Sequence, residues 1–178
     1  MAILKVARIG NPVVRARAEA VPERAIRSAE MQRLIADMRD TMHEYDGVGL
    51  AAPQVHLGIR LAVIEVAEED ERAEDSVPFT VLINPRVHPL GKAMQTGWEG
   101  CLSIPELRGI VPRFSAVRLE ALNAQGEKYV VEARGFFARV VQHECDHLEG
   151  KVYLDRMSGM ESLCFLREFE RFHAGETD

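Results

Sequence analysis

Apolar residues recur at helical spacing between Ser28 and Tyr45, at Met31, Leu34, Ile35, Met38, Met42 and Tyr45. That period predicts an amphipathic helix laid on a core, with Ser28 as its N-cap and Gly47 as its stop. Its methionines read as core residues and not as cofactor contacts. The Gly- and Ala-rich stretch "GVGLAAPQ" reads as a loop, and "IRLAVIEV" and "FTVLINP" read as strands. Between those strands, Glu68 to Asp75 ("EEDERAED") reads as a solvated acidic loop. Arg118 to Val131 is patterned as a hairpin, with "NAQG" joining "VRLEAL" to "KYVVEA".

A second long helix is expected from about Gly135 to Glu149, ended by Gly150. Phe137, Val141, Cys145 and Leu148 make one stripe on it, and Phe136, Val140, His143 and His147 make another. A helix with two apolar stripes is expected to be buried. The order of elements therefore predicts an α+β fold: antiparallel β-sheets around a central buried helix, with an N-terminal amphipathic helix and a C-terminal helix. In the C-terminal helix, Leu163, Phe165, Leu166 and Phe169 form the expected packing face.

With 178 residues, the chain is expected to form one domain spanning residues 1–178. A hydrophobic share of 47% against 28% charged residues suits a globular core. The net charge of −6 and the lack of a basic stripe argue against direct nucleic-acid binding. Lys5 and Arg8 interrupt the N-terminal stretch where a signal peptide would be apolar, and no apolar run reaches the ~20 residues of a membrane span. A cytoplasmic protein without membrane contact is expected. Three cysteines, Cys101, Cys145 and Cys164, are too few and too unevenly spaced for a disulfide framework. They are expected as core thiols or metal ligands.

The candidate chemistry lies in "VVQHECDHLEG", Val140 to Gly150, which contains His-Glu-x-x-His. On a helix His143 and His147 lie about 40° apart and one turn from each other, so both imidazoles can reach one metal ion. Glu144 is displaced sideways, where a carboxylate can touch a water instead of the metal. Three sources for a third ligand come into view. A metzincin histidine fails, because Tyr153 stands at its position. A thermolysin-like glutamate would be Glu168, which looks solvent-facing between Arg167 and Arg171. The last is Cys101, in "GWEGCLSIPELRG", whose thiolate is a strong ligand for a divalent metal. Cys145 lies about 160° around the helix from His143 and points away, and Cys164 reads as a core thiol.

Three segments, "GVGLAAPQ", "EGCLS" and "QHECDHLEG", resemble in order and spacing the three motifs of peptide deformylase. The resemblance runs from "RIGNPVVR" to about Met157 and carries little beyond it. Cys145 departs from the family, which commonly has methionine or leucine there; its outward direction makes this a packing change. The resemblance implies a metal-dependent hydrolase that removes the N-formyl group from the formylmethionine of nascent polypeptides. It implies one divalent metal ion per chain, Fe²⁺ natively with Zn²⁺ or Ni²⁺ able to substitute, held by Cys101, His143 and His147. It makes Glu144 the acid/base for the attacking water, and gives the formyl oxygen to Gln54 and the backbone N–H of Leu102.

Further roles follow from position. Gly49 and Gly100, with Val48 beside them, are expected to admit an extended peptide that pairs as an added strand. Phe136 and Val140 precede His143 on its stripe and are expected to line the methionine pocket, where burial is worth roughly 1.5–3 kcal/mol. Arg108 aligns with a family arginine near the peptide. Asp146 is expected to pair with Arg113 and brace the ligand helix. Trp98 suits either the site's mouth or the core, and the ribosome is a conceivable partner for the C-terminal helix. His43, His56, His88 and His173 have no metal spacing. The rival readings are a thermolysin-like endopeptidase using Glu168, a zinc-stabilised binding module without turnover, and a metal-free cysteine hydrolase built on Cys101.

Overall fold

A computed structural model describes residues 2–67 and 76–175, so the acidic segment Glu68 to Asp75 lies outside the described residues. Two single-turn helices come first, α1 (Pro12–Arg15) and α2 (Glu23–Ile26), followed by α3 (Ala29–Glu44). Strand β1 (Gly49–Ala51) leads through a 3-10 turn, Ala52–Val55, to β2 (Leu61–Val66) and β3 (Val77–Pro89). The chain continues as β4 (Met94–Cys101), β5 (Ile104–Phe114), β6 (Ala116–Leu122) and β7 (Lys128–Arg134), then α4 (Gly135–Leu148). A two-residue strand, β8 (Cys164–Phe165), precedes α5 (Leu166–Phe172).

The strands form two antiparallel sheets, one in the order β1-β2-β3-β6-β7 and the other β4-β5-β8. Strand β2 explains how the first sheet is covered. Successive side chains point to opposite faces, and Leu61 and Val63 join the core formed with Met31, Ile35, Met38 and Met42 of α3. Ala62, Ile64 and Val66 join the core formed with Ala138, Val140, Val141 and Leu148 of α4. The strand therefore reads as a continuous apolar run because helices cover both of its faces. Helix α4 touches five strands of the first sheet and β5 of the second.

Local chemistry sets the helix ends. The Ser28 hydroxyl accepts the Met31 N–H at 3.2 Å, the expected cap of α3. At the other end Tyr45 is 44% exposed and not in the core, because α3 stops at Glu44 and Tyr45 has left helical geometry. Gly150 stops α4 with φ +70°, and a Cβ there would overlap the Arg15 carbonyl.

Several expectations change. Within Gly47–Gln54, read as a loop, the chain forms a short strand from Gly49 and then the 3-10 turn, with Gly49 paired to Ile64. The segment around Cys101 belongs to a long hairpin, β4 against β5, which the sequence did not announce. The C-terminal segment is less buried than its pattern suggested: Phe165 in β8 is 64% and Phe172 in α5 is 60% exposed. Phe169 packs edge-on against Trp98 at 5.0 Å, and His173 lies 5.1 Å from the same ring. Cys164 is only partly covered, since β8 pairs at the edge of β5. Among the described residues no helix is long and apolar enough to cross a membrane.

Candidate active site

Cys101 ends β4, where the register with β5 shifts between Glu99 and Cys101. That irregularity re-aims the side chain. Helix α4 presents His143 and His147 one turn apart, their ring centroids 4.9 Å from each other. Ligand atoms of Cys101, His143 and His147 all lie within 4.8 Å of one another. Cys101 Sγ is 3.2 Å from His147 Nε2. Sulfur and imidazole nitrogen bound tetrahedrally to one first-row metal stand about 3.5 Å apart, given bonds near 2.3 and 2.0 Å, so the donor set fits an ion with a few tenths of an ångström of adjustment. Cys145, Cys164 and Glu168 are not part of this group.

The electrostatics favour a thiolate at Cys101 and a proton on His143, which a bound ion would displace. Burial pushes the Cys101 thiol up, but His147 and His143 outweigh it and hold the thiol well below its ordinary range. Burial pushes His143 down, but Cys101 and Glu99 outweigh it and hold the imidazole's pKa well above its ordinary range. Burial first, and then the Glu144, Asp146 and Glu149 carboxylates, push Cys145 up to about 12, which suits an inert thiol outside the cluster.

Glu99 is the residue that sequence reasoning passed over as a ligand support. Its carboxylate accepts from His143 Nδ1 at 2.9 Å, leaving Nε2 to face the Cys101 side. It also accepts from Arg113 Nε at 2.8 Å and Nη2 at 2.9 Å, and from Arg139 Nη1 at 3.0 Å. Burial would raise the Glu99 carboxyl, yet Arg113 and His143 hold it well below the carboxylate range. Arg113 reaches on to Asp146 at 2.5 Å, the expected pair, and Asp146 also accepts from Arg156 at 2.5 and 3.0 Å. The only sequence signal for Glu99 was its place two residues before Cys101; Arg139 gave none, being a cation inside a buried helix.

Glu144 is buried, and burial pushes its carboxyl up. Its Oε2 has no hydrogen-bond partner among the described residues. A buried carboxylate oxygen without a donor is costly, which suits a site that receives a polar ligand. Gly49 packs directly on this carboxylate: a Cβ there would overlap it, coming within 2.7 Å of Cδ. Gln54 is buried in the 3-10 turn; its Oε1 accepts the Ala51 N–H at 2.8 Å, which turns Nε2 toward Cys101 Sγ at 3.5 Å. Leu102 follows Cys101 and is partly buried.

The remaining candidates are dispersed around this centre. Arg108 lies along Gly100, where a Cβ would overlap its guanidinium, and donates to the Leu107 carbonyl at 2.9 Å. Val140 is buried, with Phe136 and Val48 partly buried against the same core. Tyr153 is fully buried, its ring 6.5 Å from that of His143 at 17°.

A family model described as polypeptide deformylase matches residues 3–163. The chain belongs to that family. Among its relatives, peptide deformylase 2 of Pseudomonas putida is 49% identical over 139 residues, covering 77% of this chain and 78% of the relative. Peptide deformylase 2 of Pseudomonas syringae pv. tomato is 45% identical over 148 residues, 82% of each. The crystal structure of class I type b peptide deformylase from Acinetobacter baumannii bound to Met-Ala-Ser superposes with a TM-score of 0.82 at 35% identity, covering 88% of this chain and 100% of that one. The deformylase match ends within the turn before β8, so α5 lies outside the matched span.

Proposed function

We propose that this chain is a metal-dependent deformylase that hydrolyses the N-formyl group from formylmethionine at the N-terminus of nascent polypeptides, acting in the cytoplasm as one domain. Cys101, His143 and His147 hold one divalent ion. The reading rests above all on one observation: a buried glutamate with a donor-less oxygen beside a cluster of one thiol and two imidazoles. Family membership and the Met-Ala-Ser-bound relative support the substrate class.

A divalent metal on these donors supplies Lewis acidity, which makes a water more acidic and a carbonyl more electrophilic. Glu144 accepts the proton of the attacking water as the C–O bond forms. It then delivers that proton to the amide nitrogen as the C–N bond breaks, releasing formate and a free amine. Gln54 Nε2 and the Leu102 N–H donate to the formyl oxygen as it gains charge. Val48, Gly49 and Gly100 take the peptide backbone, Arg108 contacts the chain beyond the first residue, and Phe136 with Val140 covers the methionine side chain. Iron(II) is the native ion, and zinc and nickel compete for the same donors because affinity rises along that series. A thermolysin-type set is not supported, since Glu168 is exposed on α5.

The test is formate release from formyl-Met-Ala-Ser, set beside cleavage of an internally scissile peptide of similar length. Activity on the formyl peptide alone, lost together with the metal in Cys101→Ala, is expected. Internal cleavage, or full activity without metal, overturns the proposal.

A further inference from the structure

A second concavity lies away from the metal cluster. It is a cleft of about 840 Å³ on another side of α4, walled there by Gln142, Cys145, Asp146 and Glu149. At about 100° per residue these positions centre roughly 130° around the helix from His143 and His147. The opposite wall comes from β3, including Arg86 and His88.

The cleft is cationic although the chain as a whole carries −6. Arg17, Arg60, Arg86 and Arg156 line it, and Arg113 forms part of its inner wall. Two carboxylates line the cleft, each shared between arginines, and Glu99 takes Arg113 from within. Glu149 accepts from Arg60 at 2.5 Å and Arg17 at 3.0 Å, while Asp146 accepts from Arg113 and Arg156. Arg86 is exposed and has no ion-pair partner among the described residues. Guanidinium groups converging on one concavity with spare donors suit a phosphoryl group, which they bind bidentately. The lining also offers apolar surface at Val87, Met94, Pro112 and Phe114. The volume is that of a small-molecule site.

The rim also carries a fixed left-handed residue. Asn84, which lines the cleft, has φ +53° at the register shift in β3. Its amide is fixed by exchanging two 2.9 Å hydrogen bonds with the Val21 backbone. A non-glycine residue kept in the left-handed region by its surroundings is a feature that clusters at ligand sites.

The geometry points to a second binding site in this cleft, for a phosphorylated small molecule that also carries an apolar ring or chain. The arginines take the phosphate, and Val87, Met94 and Phe114 take the apolar part. The cleft shares Arg113, Asp146 and Arg156 with the network that steadies His143, but it takes no metal ligand and neither Glu144 nor Gln54, and the proposal does not rest on deformylation.

The test is calorimetric titration of the zinc-loaded full chain with pyrophosphate and adenosine monophosphate, alongside citrate and adenosine. Adenosine monophosphate is expected to bind more tightly than adenosine, and pyrophosphate more tightly than citrate. Arg86→Glu and Arg17→Glu, at exposed positions, should each weaken phosphate-ligand binding about ten-fold or more while formyl-Met-Ala-Ser turnover stays at the wild-type rate. Binding that survives both substitutions is binding at the metal and overturns the proposal. So does the lack of any phosphate-ligand binding, or citrate equalling pyrophosphate. A protein that fails to deformylate yet shows the expected titrations leaves this inference standing.

Discussion

Glu99 Oε2 lies 2.9 Å from His143 Nδ1, and this contact decides which face of the imidazole the metal cluster sees. A neutral imidazole has one N–H and one lone pair. Donation at Nδ1 leaves the lone pair on Nε2, toward Cys101 and His147. The same carboxylate takes three hydrogen bonds from Arg113 and Arg139, so it is itself held in place. Glu99→Gln is expected to lower metal affinity about 10–100-fold and to cost roughly 3–5 kcal/mol by stranding buried arginine charge. Chelator competition and urea unfolding measure the two effects. Unchanged metal affinity would show that Glu99 is a packing charge only.

Glu144→Gln keeps the size of the side chain and removes the proton acceptor. Metal content should stay at the wild-type level while kcat falls about 10²–10⁴-fold. Loss of the metal along with the rate would move Glu144 into the ligand set.

Gly49→Ala tests the close approach between β1 and α4. The new methyl group has to displace the Glu144 carboxylate, and a displacement near 1 Å can cost about 10²-fold in rate. The loss is expected in kcat, with metal retained. A change confined to KM would instead place the effect on peptide pairing along β1.

Acid should destabilise the metal-free protein through Glu99 and Asp146. Burial raises the Asp146 carboxyl, but Arg156 and Arg113 outweigh it, so its folded pKa lies below the ordinary 3.8. Glu99 is likewise held below its ordinary 4.5. A carboxyl with a depressed folded pKa contributes its full stability above the unfolded value and loses it as pH falls through the folded one. Unfolding free energy should therefore decline steadily as pH drops from about 5. A flat profile down to pH 3 would show the network to be energetically neutral.

Trp98 is the sole tryptophan, so its fluorescence reports on α5. Phe169→Ala removes the edge-on ring at 5.0 Å. A red-shifted emission is expected, with a loss of about 0.5–1.5 kcal/mol beyond the area term. An unmoved spectrum would mean that α5 does not rest on Trp98 in solution.

Periodic elements were legible in the sequence and irregular ones were not. The α3 stripe and the β6–β7 hairpin follow from spacing and turn chemistry; the Asn123 side chain accepts the N–H groups of Gln125 and Glu127, both at 2.9 Å, and closes the turn. Strand β1 and the β4–β5 hairpin were missed because Gly49, Gly97, Gly100 and Pro105 interrupt any alternation. Their pairing is decided by partners far along the chain. The gathering of Cys101, His143 and His147 could be expected from donor chemistry and from the resemblance to deformylases. Glu99 and Arg139 could not, since a buried charge announces itself only once its counter-charges are placed around it.

The buried chain of Glu99, Arg113, Arg139, Asp146 and Arg156 also bears on protein engineering. Transplanting Cys101, His143 and His147 alone into a foreign scaffold would leave one imidazole free to rotate and its backing carboxylate behind. A workable graft has to carry the end of β4, the middle of β5 and the whole of α4 as one block, because those charges neutralise each other only as a set.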